Sequence, residues 1–559
     1  MFSPEPTKPM RVNITVRFSN NINDLIFKPQ ISEIFMKQIF TIILAFLISP
    51  FATLQAADKP NVLVILADDL GFGDVQCNNP TRGKIKTPNI DDLAAQGMRF
   101  TDAHSSSGVC SPSRYALLTG RYHWRTRLQS GIVGVWGEPL IAPNRVTIAS
   151  LAKQHGYRTG AIGKWHLGWD WPIPLANAAL FKGKPTDDGK PLEAQRDIWQ
   201  QVFSKTIAGG PTTRGFDSYF GTDVPNWPPY CFIDDNRTVG IPSEFLPLGL
   251  LKNHQASING PALKDWKLEP ILPALEGRAI KFISDATTKP EPFLLYMPLT
   301  TPHTPLAVNA EWKGKSGLEN ACADLIMETD ATVGRVLNAL EKSGKANDTL
   351  VIFTSDNGFA SYVGVKQLEQ QGHFPSGPLR GYKTDVYEGG HRVPFIVRWP
   401  KVVKPGTVCN QLVHHADLIA TLAEILNAKL PENSGEDSFS LMPLLKGIDK
   451  PVRENAISCA ASGVPGLRLG NWKLILAPDT KQNMDGKLDV QLYNLAEDIG
   501  ETKNLAGEQP GRVAQMKLLM EKLITDGRSS PGAVQKNDVV VTRYPKPPAA
   551  PNKKGKATK

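Results

Sequence analysis

Asn61–Leu66 reads NVLVIL, an apolar run of strand length that stops at Asp68-Asp69. A strand without polar alternation is buried on both faces, which requires helices on both sides of a largely parallel sheet. The chain supplies them. Pro88 to Phe100 reads as a helix, a glycine and a second strand; Thr147–His155 is amphipathic, stops at Gly156 and leads into a strand at Tyr157–Ile162. A helix around Leu275–Ile283 precedes the strand Phe293–Pro298, and a long helix, Ala323 to Lys342, precedes Leu350–Thr354. Phe395–Trp399 reads as a strand before a helix at Leu418–Leu426. Such alternation predicts an α/β fold, with a large mixed, mostly parallel sheet flanked by helices. After about Leu445 the texture changes to short strand-like pieces (Gly466–Leu476, Val490–Tyr493) and one helix near Val513–Asp526, a small α+β C-terminal subdomain. The expected organisation is a presequence over 1–56, a main domain over 57–445, the C-terminal subdomain over 446–530 and a basic disordered tail over 531–559.

The presequence carries an export layout. Ile39–Ile48 is apolar but for Thr41, follows Lys37 and is followed by Ala56-Ala57. That is a positive end, a short apolar stretch and small residues near cleavage. It is too short for a spanning helix. Met36 stands just before it, so residues 1–35 read as an upstream extension. Export to the periplasm or the outside is expected, with no stable membrane span.

The formal net charge is +9. Its distribution argues against nucleic-acid binding. Residues 540–559 hold Arg543, Lys546, Lys553, Lys554, Lys556 and Lys559 and no acid; the segment before Ala57 adds +2, which leaves the body at +1. The basic character belongs to the ends and not to a folded surface. The six cysteines (Cys77, Cys110, Cys231, Cys322, Cys409, Cys459) form no CxxC pair, so a zinc knuckle is not expected.

Cys110-Ser-Pro-Ser-Arg-Tyr-Ala-Leu-Leu-Thr-Gly-Arg121 is the most specific string. A lone C-x-P-x-R would read as a buried cysteine beside a turn, but twelve consecutive residues do more. Here the sequence resembles the sulfatase family, in its formylglycine-dependent, arylsulfatase-like type, within the alkaline phosphatase superfamily. The resemblance spans about Lys59 to Ala506 and implies an alkaline-phosphatase-like sheet. It also implies that Cys110 is oxidised after translation to formylglycine by a formylglycine-generating or anaerobic sulfatase-maturating enzyme. A sulfated serine or cysteine would persist as an ester, whereas a sulfated hydrate of the aldehyde collapses and expels sulfate.

Asp68-Asp69 and Asp356-Asn357-Gly358 each end a strand, at the carboxyl edge where open α/β sheets hold ligands. Two adjacent carboxylates alone would read as a solvated turn. Four oxygen-bearing side chains on two strand ends suit a hard divalent cation. The family places calcium there, bound by the counterparts of Asp68, Asp69, Asp356, Asn357 and the modified Cys110; magnesium takes similar oxygen ligands.

Gly163-Lys164-Trp165-His166-Leu167-Gly168 matches a family segment in which the lysine contacts sulfate and the histidine deprotonates the sulfated hydrate. Lys164 and His166 alternate onto one side of an extended segment. Pro302-His303-Thr304-Pro305 matches the family segment whose histidine lies near the leaving-group oxygen, and Gly381 to Gly390 matches the one whose lysine, here Lys383, faces the same oxygen. Arg114 is expected to bridge the nucleophile and the metal side, and Glu388 and Arg392 to form a buried ion pair. The implied reaction is sulfate-ester hydrolysis, on sulfated carbohydrate in view of export. The alternatives are a phosphodiesterase or phosphonate monoester hydrolase of the same superfamily, and a non-catalytic binder of sulfated glycans. Trp124, Trp136, Trp169, Trp171 and Trp227 flank the motifs and offer stacking faces, although at least half are expected in the core. His123, Arg125 and Arg127 are positioned in sequence to read neighbouring acidic groups.

Overall fold

A computed structural model describes residues 59–182, 186, 189–251, 257–476 and 490–542. The export signal and the 543–559 end of the basic tail lie outside the described residues. Among the described residues ten strands form the main sheet. From edge to edge they are Thr407–Cys409, Met98–Phe100, Phe395–Arg398, Thr349–Ser355, Asn61–Asp68, Phe293–Pro302, Arg158–Lys164, Ser218–Thr222, Ile233–Asp234 and Arg237–Thr238. The five from Thr349–Ser355 to Ser218–Thr222 run parallel. Antiparallel pairs flank them on both sides.

The NVLVIL strand occupies the centre and shows why such a sequence needs two layers of helices. Val62, Val64 and Leu66 pack into one core with the helices Ile148–Gln154 and Leu418–Ile425. Leu63, Ile65 and Ala67 pack into a second core with Pro88–Ala95, Ile271–Thr287 and Ala321–Lys342. Successive side chains of a strand point to opposite faces, so the apolar run feeds both cores in alternation. Each fully buried Val, Leu or Ile contributes roughly 1.5–3 kcal/mol.

The helix ends follow their capping residues. Asn320 accepts from the backbone of Cys322 (2.8 Å) and begins the long helix two residues before its expected start at Ala323. Thr147 caps Ile148–Gln154 through Ser150 N (3.0 Å).

The smaller unit is a four-stranded antiparallel sheet of Asn455–Cys459, Pro465–Leu469, Trp472–Ile475 and Gln491–Asn494. The Pro510–Thr525 helix packs on it through Met516 and Met520. Gly466–Leu476, expected as one strand-like piece, is a hairpin that turns at Gly470, where φ is +55°. Tyr122 and Trp124, just beyond the Cys110–Thr119 helix, lie in the same core as Leu467 and Leu474 and join the two units. The expected start of the tail is corrected. Residues 531–542 are laid down on the fold, with Asp538 paired to Arg121 (3.0 Å), its N–H donated to Arg125 O (2.8 Å), and Gln129 Nε2 donating to Val540 O (2.9 Å). Among the described residues no helix is long and apolar enough to cross a membrane.

Candidate active site

Strand order makes the site. Asp68 ends the central strand, Lys164 ends a strand two places away, and Ser355 and Pro302 end the strands on either side of Asp68. The segments that follow therefore converge at one carboxyl edge. Asp69 takes a left-handed conformation (φ +67°), which a short polar side chain tolerates, and turns its carboxylate back to this edge. The two strand ends are laced together: Asp356 N donates to Ala67 O (3.1 Å), Asp69 N to Asp356 Oδ1 (3.2 Å), and Leu70 N to Ser355 Oγ (3.0 Å).

Cys110 is the first residue of a ten-residue helix buried throughout, so the positive end of its dipole meets the strand ends. The helix stops at Gly120 (φ +66°), where a Cβ would meet Ile419 at 2.2 Å. Cys110 Sγ lies 3.7 Å from Asp68 Oδ1 and 3.6 Å from Lys164 Nζ. Arg114, one turn further on, donates to Asp356 Oδ2 through Nε (3.0 Å) and Nη2 (2.8 Å), and to Lys164 O (2.8 Å). Lys164 donates to Asp68 Oδ2 and Lys383 to Asp69 Oδ2, both at 2.7 Å. Gly163 must lack a side chain here, since a Cβ would strike Pro298 O at 1.7 Å.

Burial would raise the Asp68 carboxyl, but Lys164, His303, Arg114 and Lys383 outweigh it and hold it well below the usual range. Asp356 goes the other way, pushed to about 7 by burial and by Asp68. Burial pushes the Cys110 thiol up to about 12, so as an unmodified thiol it is no nucleophile at neutral pH.

Both histidines are neutral. Burial, then Lys383 and Lys164, push His303 down to about 4. Burial, then Lys164 and Arg114, push His166 well below its ordinary value. Their tautomers follow from their partners, because a carbonyl only accepts. His166 Nε2 donates to Val133 O (3.1 Å) and leaves Nδ1 as a buried lone pair with no partner. His303 Nδ1 donates to Thr304 O (2.6 Å), which turns Nε2 toward Asp69 Oδ2 (3.7 Å).

Cys110, His166, His303 and Lys383 open onto one cavity of about 290 Å³. All ten residues singled out in the sequence (Asp68, Asp69, Cys110, Arg114, Lys164, His166, His303, Asp356, Asn357 and Lys383) thus fall in one cluster. Ligand atoms of Asp68, Asp69, Cys110 and His303 lie within 4.8 Å of one another, close enough to share one cation. Asn357 Nδ2 donates to Asp69 Oδ1 (2.8 Å), while its Oδ1 is buried without a partner. An unpaired amide oxygen among three carboxylates fits a hard cation and is costly otherwise.

Sequence reasoning missed Asp223, which accepts from His166 N and Trp169 Nε1 (both 3.1 Å) and is raised to about 6 by burial. It also missed Ile132, Val224 and Ala461 in the cavity wall. None carries a motif. The proposed acid-reading group is corrected: His123 and Arg125 are buried, the first on Ser106 Oγ (2.7 Å) and the second clamped on Asp437 (2.8 Å), and Arg127 donates to Glu138 O. Of the tryptophans, Trp124 and Trp169 are core, Trp136 and Trp171 pack on each other, and Trp227 alone of the five lines the cavity.

Comparison with known proteins agrees with this geometry. The sulfatase family model matches residues 60–428, and the model for the C-terminal part of N-sulphoglucosamine sulphohydrolase matches residues 382–528. An N-acetylgalactosamine-6-O-sulfatase of Bacteroides thetaiotaomicron is 33% identical, over 84% of this chain and 94% of its own length. Human arylsulfatase A is 31% identical, over 84% of this chain and 88% of its own length. A structure solved in work on the metabolism of multiple glycosaminoglycans by Bacteroides thetaiotaomicron superposes with a TM-score of 0.70 at 30% identity, covering 84% of this chain and 99% of that one. The structure of Ps i-CgsB in complex with k-i-k-neocarrahexaose gives 0.62 at 28% identity, over 85% and 95%.

Proposed function

The chain belongs to the sulfatase family and is a sulfuric ester hydrolase, and from that premise we propose that it desulfates sulfated carbohydrates after conversion of Cys110 to formylglycine. The observation that carries the reading is one cavity faced by Cys110 at a helix N-terminus, two neutral histidines and Lys383, backed by Lys164 and three carboxylates. The relatives' names, which refer to N-acetylgalactosamine and glycosaminoglycans, support the substrate class.

Asp68, Asp69, Asp356, Asn357 and residue 110 would hold calcium, or magnesium, which supplies a Lewis acid and a template. Formylglycine supplies a hydrated aldehyde that takes up sulfate and releases it by collapse, a step a plain thiol or hydroxyl lacks. The other residues act through charge and protons. Lys164, Lys383 and Arg114 offset the charge of the sulfate oxygens in a site shielded from water. The incoming anion raises the pKa of neighbouring His303, which then donates from Nε2 to the departing alcohol oxygen. His166 offers its Nδ1 lone pair as the base for release, and its Val133 bond holds that tautomer.

The reading includes export and a maturating enzyme as partner. Intact mass tests the modification, since replacing the thiol by an aldehyde removes about 18 Da. Desulfation of mono- and oligosaccharide sulfates, followed by chromatography beside an aryl sulfate and a matched phosphodiester, tests the reaction. Efficient aryl-sulfate turnover with no sugar accepted would overturn the carbohydrate reading; a higher kcat/KM on the phosphodiester would overturn the choice of sulfate.

A further inference from the structure

We infer that the cavity admits a sugar ring that carries no charge besides the sulfate to be removed, with Trp227 as its stacking face and Ile132 as the residue that excludes a second anion. This rests on the carbohydrate reading above and narrows it. Among the described residues the basic side chains that face the cavity all belong to the sulfate end: Lys383 is engaged with Asp69, while His166 and His303 are bound to backbone carbonyls. The rest of the wall includes Ile132, Val224, Trp227 and Ala461, with Asn226, Thr384 and Tyr362 as polar groups that carry no charge at neutral pH. Among the described residues neither Arg nor a further Lys lines it.

The cations nearest in sequence are committed elsewhere. Arg125 is clamped on Asp437 through two nitrogens (2.8 Å each) and Arg127 donates to the carbonyls of Glu138 and Pro139. Among the described residues, a uronate carboxylate or an N-sulfate in this wall would lose its hydration and find no cation but Lys383, which Asp69 already holds, the costly case for a buried charge. A hydroxyl or an acetamido group can bond to Asn226 or Tyr362 and rest its apolar face on the indole. The ring of Trp227 stands edge-on to His166, with centroids 5.3 Å apart, so a sugar stacked there is held beside the sulfate end. Ile132 is half-buried in the cavity wall and follows Gly131, whose N donates to Ala461 O (2.7 Å), so that a lysine at this position would bring a cation to the wall.

The test uses the mature, full-length enzyme on four monosaccharides: a 6-sulfated neutral hexose, a 6-sulfated N-acetylhexosamine, a 6-sulfated N-sulfohexosamine and a sulfated hexuronate, beside an aryl sulfate. The expected result is a kcat/KM for the better uncharged ring at least about 100-fold above either charged ring, equivalent to roughly 2.7 kcal/mol. Ile132→Lys should narrow the gap to the N-sulfated sugar at least tenfold, while Ile132→Leu leaves the gap in place. Trp227→Ala should raise KM for the sugars more than for the aryl sulfate. A charged ring turned over within tenfold of the uncharged ones overturns this inference and leaves the carbohydrate reading standing. Turnover of the aryl sulfate with none of the four sugars overturns both.

Discussion

Two buried clusters of charge in this protein look alike on paper and differ in what they leave unpaired. The first gathers Asp68, Asp69 and Asp356 against Arg114, Lys164 and Lys383. The second gathers Asp102, Glu388 and Glu501 against Arg392, Arg468 and Lys473. Each sets three carboxylates against three permanent cations, and each contains a histidine-carboxylate group tight enough to enclose a metal: Asp68, Asp69, Cys110 and His303 in one, His104, Glu388 and His391 in the other.

In the second, the ligand atoms are already used. Glu388 Oε1 takes Lys473 (3.0 Å) and its Oε2 takes Arg392 (3.2 Å) and Arg468 (3.3 Å). His391 Nδ1 meets His104 Nδ1 (3.0 Å) and its Nε2 meets Val386 O (2.9 Å). In the first, Asn357 Oδ1 has no partner and the cluster opens onto a cavity. Spare lone pairs beside space, and not the tally of acids and histidines, separate a binding site from a structural clasp.

Cys110→Ala should cost at least about four orders of magnitude in turnover, as loss of a covalent nucleophile does, with an unchanged denaturation midpoint. Wild-type-like turnover by the purified variant would falsify the nucleophile assignment. Glu388→Ala leaves Lys473 and Arg468 buried beside only Asp102 and Glu501, and should destabilise the fold by about 3–5 kcal/mol. Urea denaturation reads this directly, and a loss below about 1 kcal/mol would mean that the second cluster is not the clasp.

Metal removal sharpens the contrast. Exhaustive chelation should lower activity at least about a hundredfold, with recovery on added calcium. Asn357→Ala should raise the calcium concentration needed for recovery, since it deletes one oxygen ligand. Glu388→Ala should not. Full activity of a metal-stripped enzyme would remove the first cluster from the list of metal sites.

The smallest effect is acid sensitivity of the clasp. Burial, outweighing Glu388 and Asp102, pushes His104 below its ordinary value of 6.5. Burial and Lys473 push His391 well below it. With the folded value depressed, the unfolded chain takes up protons near pH 6.5 that the folded chain refuses. The stability is therefore complete above pH 6.5 and lost as pH falls toward the folded values, at up to about 1.4 kcal/mol per pH unit for each imidazole. Denaturation midpoints at pH 7.5, 6 and 5 should fall in that order, and His391→Gln should flatten the profile. A flat wild-type profile would count against neutral imidazoles in the clasp.

Much of the active site was legible because its residues sit in contiguous strings at strand ends. Cys110 to Arg121, Gly163 to Gly168 and Pro302 to Pro305 each place a reactive group beside residues that enforce its backbone, as Gly163 shows. The Glu388–Arg392 pair was equally legible, being four residues apart on one turn. Its partners Arg468 and Lys473 were not, since only sheet packing brings them under Glu388. Arg125 misled for the same reason. Next to the nucleophile helix it resembles a substrate reader, but Asp437, far along the chain, claims it.

By itself, then, the sequence determined the alternation of strands and helices, the two-sided burial of NVLVIL and the chemical identity of each strand end, because periodicity, capping and turn chemistry act over a few residues. The tertiary structure decided which strand ends are neighbours, that Trp227 and Ile132 face the cavity at Cys110 while Trp124 and Arg125 turn into the core, and that residues 531–542 lie on the fold. Those outcomes depend on contacts between residues tens to hundreds of positions apart, and it is packing and charge pairing across such distances that select among equally plausible local readings.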